Sequence, residues 1–213
     1  MLPSGVMSIV TIEALIASLA KPGILLSHRF IAEGDEHALM AREAPFFERA
    51  VVSVRRQSGA ARLVARSLLE NLDHFGFAIT KKPSGAAVWP SGIVGSMAHD
   101  DTIAIAAVAR VTDYSCLGLD IEPAEELPAG LVELVSTPAE RRRYDSRFLA
   151  QRHLFVAKEA VFKAVHPADG IFLDHHHIDI DLQGGVGSTS YGRIVKVEVA
   201  AGAGHVIALA YQR

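Results

Sequence analysis

The chain contains a single cysteine, Cys116, and a single tryptophan, Trp89. One cysteine excludes an internal disulfide and fits a reducing compartment, so the expected location is cytoplasmic. No charge sign dominates: 21 Lys and Arg stand against 24 Asp and Glu, a formal net charge of −3. That balance gives no electrostatic reason to expect nucleic acid or a membrane surface as a partner. Long hydrophobic runs are missing too. The apolar N-terminal stretch is interrupted by Glu13 and lacks a basic start, which argues against a signal peptide. Elsewhere the uncharged runs are too short, or too broken by turns, to span a bilayer. There is no low-complexity linker and no repeat in the residues themselves. What remains is 213 residues, 50% hydrophobic, enough for one large domain or two small ones.

Local patterns divide this material into short elements. Residues 12–20 read as a helix, and GILLSHRFIA (23–32) as a strand after a Pro-Gly turn. From Ala38 to Leu72 the pattern is helical, broken near Pro45, with several arginines on one side of its later part. Residues 76–95 carry prolines and glycines at Pro83, Gly85, Pro90, Gly92 and Gly95 and read as loop, ahead of strands at 103–109 and 116–122. Thr137-Pro138-Ala139-Glu140 combines an N-cap, a proline at the first helical position and a capping-box glutamate. A helical region follows, with room for an interruption, and stops near His166-Pro167. The tail reads as strands in IFLDHHHIDIDL, YGRIVKVEVA and GHVIALAYQ. Short connections between strands predict an α+β class with mainly antiparallel sheets. Each half has a helix and a few strands, which allows two lobes.

Four constellations could carry chemistry. In GLDIEP (118–123), alternation puts Asp120 and Glu122 on one strand face and Leu119 and Ile121 on the other. This is either a solvated edge or a hard-cation site, since Mg²⁺ is commonly held by one or two carboxylates plus substrate phosphates. In FVAKEAVFKA (155–164), a 100° step per residue puts Lys158 about 40° from Leu154, inside the apolar arc. A lysine there needs an anion, either a protein carboxylate or a ligand phosphate. Glu159 and Lys163 sit one turn apart at the edge of the arc, where an ordinary ion pair is expected. In WPSGIVGSMAHDD (89–101), His99 follows a glycine-rich loop and is either structural or a phosphate ligand. Arg55, Arg56, Arg62 and Arg66 lie on the arginine-rich helix, on a solvated face or a phosphate-binding one. The His175–His177 run reads as structural because only alternate strand members share a face. Cys116 reads as a small core residue.

Taken together, WPSGIVGSMAH, GLDIEP and FVAKEAVFKA resemble the 4′-phosphopantetheinyl transferase family, of the enterobactin synthetase component D type. The resemblance runs from the Arg55 helix through Asp179. It implies transfer of the phosphopantetheine arm of coenzyme A to a serine of an apo carrier protein, with adenosine 3′,5′-bisphosphate as the other product. It implies Mg²⁺ held by Asp120, Glu122 and Glu159, and a catalytic set of Glu159 as general base with Lys163 and Asp120. Coenzyme A would meet Arg55, Arg56, Arg62, Lys82, Gly85, Ala86, His99, Lys158 and Lys163. The adenine would lie on the backbone of loop 82–87. The implied fold is a pseudo-dimer of two similar α/β lobes. Residues 1–110 would form the coenzyme A-binding lobe, and 111–213 the lobe of the metal site and catalytic helix. The implied partners are coenzyme A and acyl, peptidyl or aryl carrier domains, acting on a monomer in siderophore or nonribosomal peptide synthesis. Ala61, Ala87 and Ala98 depart from the family's pattern, and none of them is an implied ligand or base. The rival readings are a nucleotide phosphohydrolase using the same carboxylates and a non-catalytic module that binds coenzyme A or the carrier.

Overall fold

The computed structural model describes residues 11–144 and 150–213. The interruption expected in the helical region past Pro138 falls at 145–149, outside the described residues, as does the apolar stretch before Thr11.

Helix α1 (Ile12–Ser18) is capped by Thr11, whose side chain accepts from Ala14 N. Strand β1 (Ile24–Phe30) follows. The expected helix from Ala38 starts instead as two short 3-10 turns, 35–38 and 44–47, before α2 (Val52–Glu70) runs unbroken. Strands β2 (Ile93–His99) and β3 (Ile103–Arg110) close a three-stranded antiparallel sheet in the order β1-β3-β2. Strand β2 begins inside the 76–95 segment that local sequence reads as loop, and the rest of it has no strand reading. Its glycine is required by packing: a Cβ on Gly95 would stand 2.8 Å from the Trp89 ring.

The second half repeats the scheme. Strand β4 (Cys116–Pro123) is followed by α3 (Ala129–Val135), α4 (Pro138–Tyr144) and the long α5 (Ala150–Asp169). Strands β5 (Ile178–Asp181), β6 (Val186–Thr189), β7 (Ile194–Gly202) and β8 (His205–Gln212) complete a five-stranded antiparallel sheet ordered β4-β8-β7-β6-β5. The histidine run is a 3-10 turn rather than strand, because Asp174 caps it through the His176 and His177 amides. Each sheet carries one long helix on one face, α2 on the first and α5 on the second, so the molecule is α+β with two like lobes.

The lobes are not separate bodies. Strands β2 and β4, each the edge of its own sheet, lie against each other. Ser96 of β2 accepts a hydrogen bond at 2.9 Å from the Leu119 amide of β4. The sheet faces turned away from the long helices merge into one core. There Ile105 and Ala107 meet Leu119, Ile121 and Leu209, and α1 covers the joint with Leu15 and Ile16. As expected, Leu119 and Ile121 point into this core, which leaves Cys116, Gly118, Asp120 and Glu122 facing α5.

Helix α5 sits on β4 at backbone contact. A Cβ on Gly118 would lie 1.9 Å from the Ala160 carbonyl oxygen and 2.5 Å from the Ala164 nitrogen. Neither atom can give way without moving the helix. Gly118→Ala is therefore expected to cost at least about 1–3 kcal/mol. The check is a urea titration, which should show a lower midpoint at an unchanged slope.

Candidate active site

A cleft of about 370 Å³ opens between α2 and α5, floored by β2. Alternation along β2 decides which side chains reach it. Gly95, Met97 and His99 face the cleft, whereas Ala98 is packed into the core between the sheets. Helix α2 contributes Ala61 and Arg62, and α5 contributes Phe162, Lys163 and His166. The outer wall is the 81–89 segment, pinned as a hairpin by the Lys81–Ala87 bridge and by Lys82 N donating to Ala86 O. Gly85 turns this hairpin at φ +88°.

The cleft is electropositive. Arg62 is almost fully buried, and its Nε donates to Ile79 O while Nη1 donates to Ser58 O. Burial pulls its pKa down to about 10, against the opposing pull of Glu43, so it stays charged at neutral pH. Lys81 stacks its ammonium on Phe47 at 4.2 Å, and burial together with Arg62 lowers its pKa. His99 is lowered by desolvation and then by Lys163, which keeps the ring neutral at physiological pH.

Of the residues expected at coenzyme A, Arg62, Gly85, Ala86, His99 and Lys163 line this cleft. The others lie elsewhere. Lys82 turns its ammonium to Pro167 O at 3.2 Å, and Lys81, its neighbour on the other face of the hairpin, enters the cleft instead. Arg56 is held by Glu36, whose pKa that contact and nearby backbone amides lower to about 2. Arg55 donates to Ala50 O and borders a separate hollow with His37 and Phe47. Arg66 is bound to buried Glu43.

Lys158 departs furthest from expectation. Its side chain has no exposed surface, and its ammonium donates to Glu140 Oε2 at 2.7 Å, Val135 O at 2.8 Å and His175 O at 2.8 Å. Three acceptors satisfy all three of its protons. Its anion is thus the capping-box glutamate of α4, not a phosphate. Glu140 meanwhile accepts from the Thr137 and Ile180 amides.

Asp120 and Glu122 both face α5, the helix that carries Glu159. Asp120 is buried, and its Oδ1 accepts from Lys163 Nζ at 2.6 Å. Its Oδ2 is buried with no partner. Desolvation raises its pKa, and the Glu159 charge adds to that, against the pull of Lys163. Glu122 is raised by desolvation and by Asp120, while Arg152 holds its Oε2 at 3.1 Å. Burial would raise Glu159, but a 2.9 Å contact with His175 Nε2 and the Lys163 charge outweigh it, and the group sits below the usual carboxylate range. The expected Glu159–Lys163 pair is therefore not the one formed.

Four residues of the site are assigned no functional part by the sequence patterns. Arg152 and Lys81 have no motif of their own, Phe162 stands in FVAKEAVFKA with no role read from it, and the strand argument that makes His175 structural fails because its segment is a 3-10 turn.

Comparison with known proteins decides the family. Residues 42–109 match the 4′-phosphopantetheinyl transferase N-terminal domain, and 116–210 match the 4′-phosphopantetheinyl transferase superfamily. The chain belongs to the 4′-phosphopantetheinyl transferases. It is 34% identical over 198 residues to 4′-phosphopantetheinyl transferase Svp of Streptomyces mobaraensis, covering 88% of this chain and 80% of that protein. It is 36% identical over 155 residues to transferase Npt of Nocardia iowensis, covering 70% of each. Enterobactin synthase component D of Escherichia coli is 35% identical over 103 residues, 45% of this chain and 48% of that one. The reaction is transfer of the phosphopantetheine arm of coenzyme A to a carrier protein. Among the described residues, no helix of this transferase is long and apolar enough to cross a membrane.

The transferase's donors suit a hard cation: three carboxylates, one with an unpartnered buried oxygen. They do not form a ready cage. Among the described residues no three His, Cys, Asp or Glu side chains gather closely enough to hold an ion. The expected trio is thus not preformed, because Lys163, Arg152 and His175 each draw one carboxylate to itself.

The raised Asp120 carries a stability signature. A carboxyl with an elevated folded-state pKa is ionised at a cost above that pKa and at none once protonated. Asp120→Asn mimics the protonated form, so in chelator-treated buffer it should melt above the wild type at pH 8. The gap should close as pH falls through the raised pKa. Melting temperatures across pH 4–8 would show it, and a variant less stable at pH 8 would contradict the desolvation argument.

Proposed function

We propose that Asp120, Glu122 and Glu159 hold one Mg²⁺ together with the pyrophosphate of coenzyme A, and that Glu159 is the general base. The unpartnered Oδ2 of Asp120 carries this reading, since a buried carboxylate oxygen is costly without a partner. When bound, the ion would supply charge neutralisation at the pyrophosphate.

The chain's own groups then divide the work. Arg62 and Lys81 draw the anionic nucleotide into the cleft, neutral His99 offers it a hydrogen-bonding ring, and the 81–87 hairpin offers its backbone to the adenine. The carrier serine attacks the coenzyme A phosphorus that bears the pantetheine arm. Its hydroxyl proton goes to Glu159, which is ionised and ready to accept it. A serine–phosphorus bond forms as the bridging phosphorus–oxygen bond of the pyrophosphate breaks. Adenosine 3′,5′-bisphosphate leaves with the electron pair, and Lys163 steadies its new charge. The division of labour follows the chain: 1–110 for the nucleotide, 111–213 for the metal and the base. We place the protein in the cytoplasm as a monomer. Its carrier belongs to siderophore or other nonribosomal peptide or polyketide synthesis, on the strength of its likeness to enterobactin synthase component D.

Incubation with coenzyme A, Mg²⁺ and a panel of apo carriers should add one phosphopantetheine arm to at least one carrier by intact mass. Glu159→Gln should lower turnover by at least about 100-fold, within the range for loss of a general base, while calorimetry still detects coenzyme A binding. Near-wild-type turnover in that variant would remove Glu159 from the base role.

A further inference from the structure

The base is not left to find its own position. On α5, Glu159 and Lys163 are one turn apart, the spacing at which such side chains ordinarily pair. A base paired with Lys163 would be turned from its task. Instead Lys163 is engaged by Asp120, and Glu159 is drawn the other way by His175, with Nε2 2.9 Å from Oε1. An ionised carboxylate only accepts, so the imidazole donates, which requires the Nε2–H tautomer. Among the described residues the other oxygen, Oε2, has no hydrogen-bond partner and is left for a substrate proton.

His175 is itself held from three directions. Its carbonyl accepts from the buried ammonium of Lys158, the residue adjacent to Glu159. Its ring packs on Phe155, one turn earlier on α5, at 5.5 Å between centroids. Its turn is closed by Asp174, which accepts from the His176 and His177 amides. Lys158 and Glu159 leave α5 in different directions, yet one residue joins them again, through its backbone to the first and its ring to the second.

We propose that His175 is a positioning residue that fixes the Oε1 of Glu159, so that Oε2 faces the carrier serine. This rests on Glu159 as the base, and the two ideas fail separately. If Glu159→Gln keeps its turnover, the base assignment falls. If Glu159→Gln is inactive while His175 variants are normal, only the positioning falls.

The test uses His175→Phe, which keeps a ring against Phe155 but has no donor, and His175→Gln, which can place an N–H near the Nε2 site. Each is measured with coenzyme A and an apo carrier for kcat and carrier KM, and separately for coenzyme A affinity by calorimetry and for melting temperature. His175→Phe should lose at least about tenfold in kcat, the scale of one hydrogen bond to a charged group. Carrier KM and coenzyme A affinity should stay within about threefold. His175→Gln should recover most of the lost kcat. An unchanged kcat in His175→Phe overturns the proposal. So does a loss seen only in coenzyme A affinity or carrier KM, or a Gln variant no faster than Phe.

Discussion

The ammonium of Lys158, sealed from solvent, ties the C-terminal lobe to its long helix α5. It joins the end of α3, the capping glutamate of α4 and the turn before β5 to the middle of α5. A buried cation is tolerated only when its protons are matched, and an unmatched partner is strongly destabilising. Here the matching is complete on both sides, since Glu140 also caps its own helix and accepts from the Ile180 amide. Four elements therefore cannot shift independently, and two side chains of the site, Glu159 and His175, inherit that rigidity.

A second constraint sets the cleft. Strands β2 and β4 meet as sheet edges, where an unpaired edge would otherwise invite association with other chains. The Ser96–Leu119 hydrogen bond and the shared apolar core close this seam. One long helix then stands on each side of it, and the space between α2 and α5 is the consequence. The cationic groups Arg62 and Lys81 that line the cleft come from one lobe and the three acids from the other. A transferase that must bring a polyanion to a base can keep these opposite charges apart in this way until substrate spans them.

Charge balance within the acidic corner follows the same logic. Asp120, Glu122 and Glu159 are close enough to influence one another, and each is turned to a different cationic or donor group. Each is drawn to its own partner, and Asp120 is left desolvated with one oxygen unmatched. Sites of this kind trade stability for function.

Much was determined by sequence alone. Alternation in GLDIEP put Asp120 and Glu122 on one face with Leu119 and Ile121 in the core, and the structure keeps that arrangement because strand geometry is local. The Thr137–Glu140 capping box was legible for the same reason. Helical periodicity showed that Lys158 lies on a buried face and needs an anion. Tertiary structure alone decided which anion, because Glu140 is 18 residues away and reaches it only once α4 folds back. Strand β2 was hidden because its glycine and polar residues suit a sheet only when β3 and Trp89 cover them. His175 was hidden because its partner sits 16 residues earlier on a helix. Periodicity reports which face a residue occupies. Which residue of another element lies opposite is a matter of packing, and packing has no local signature.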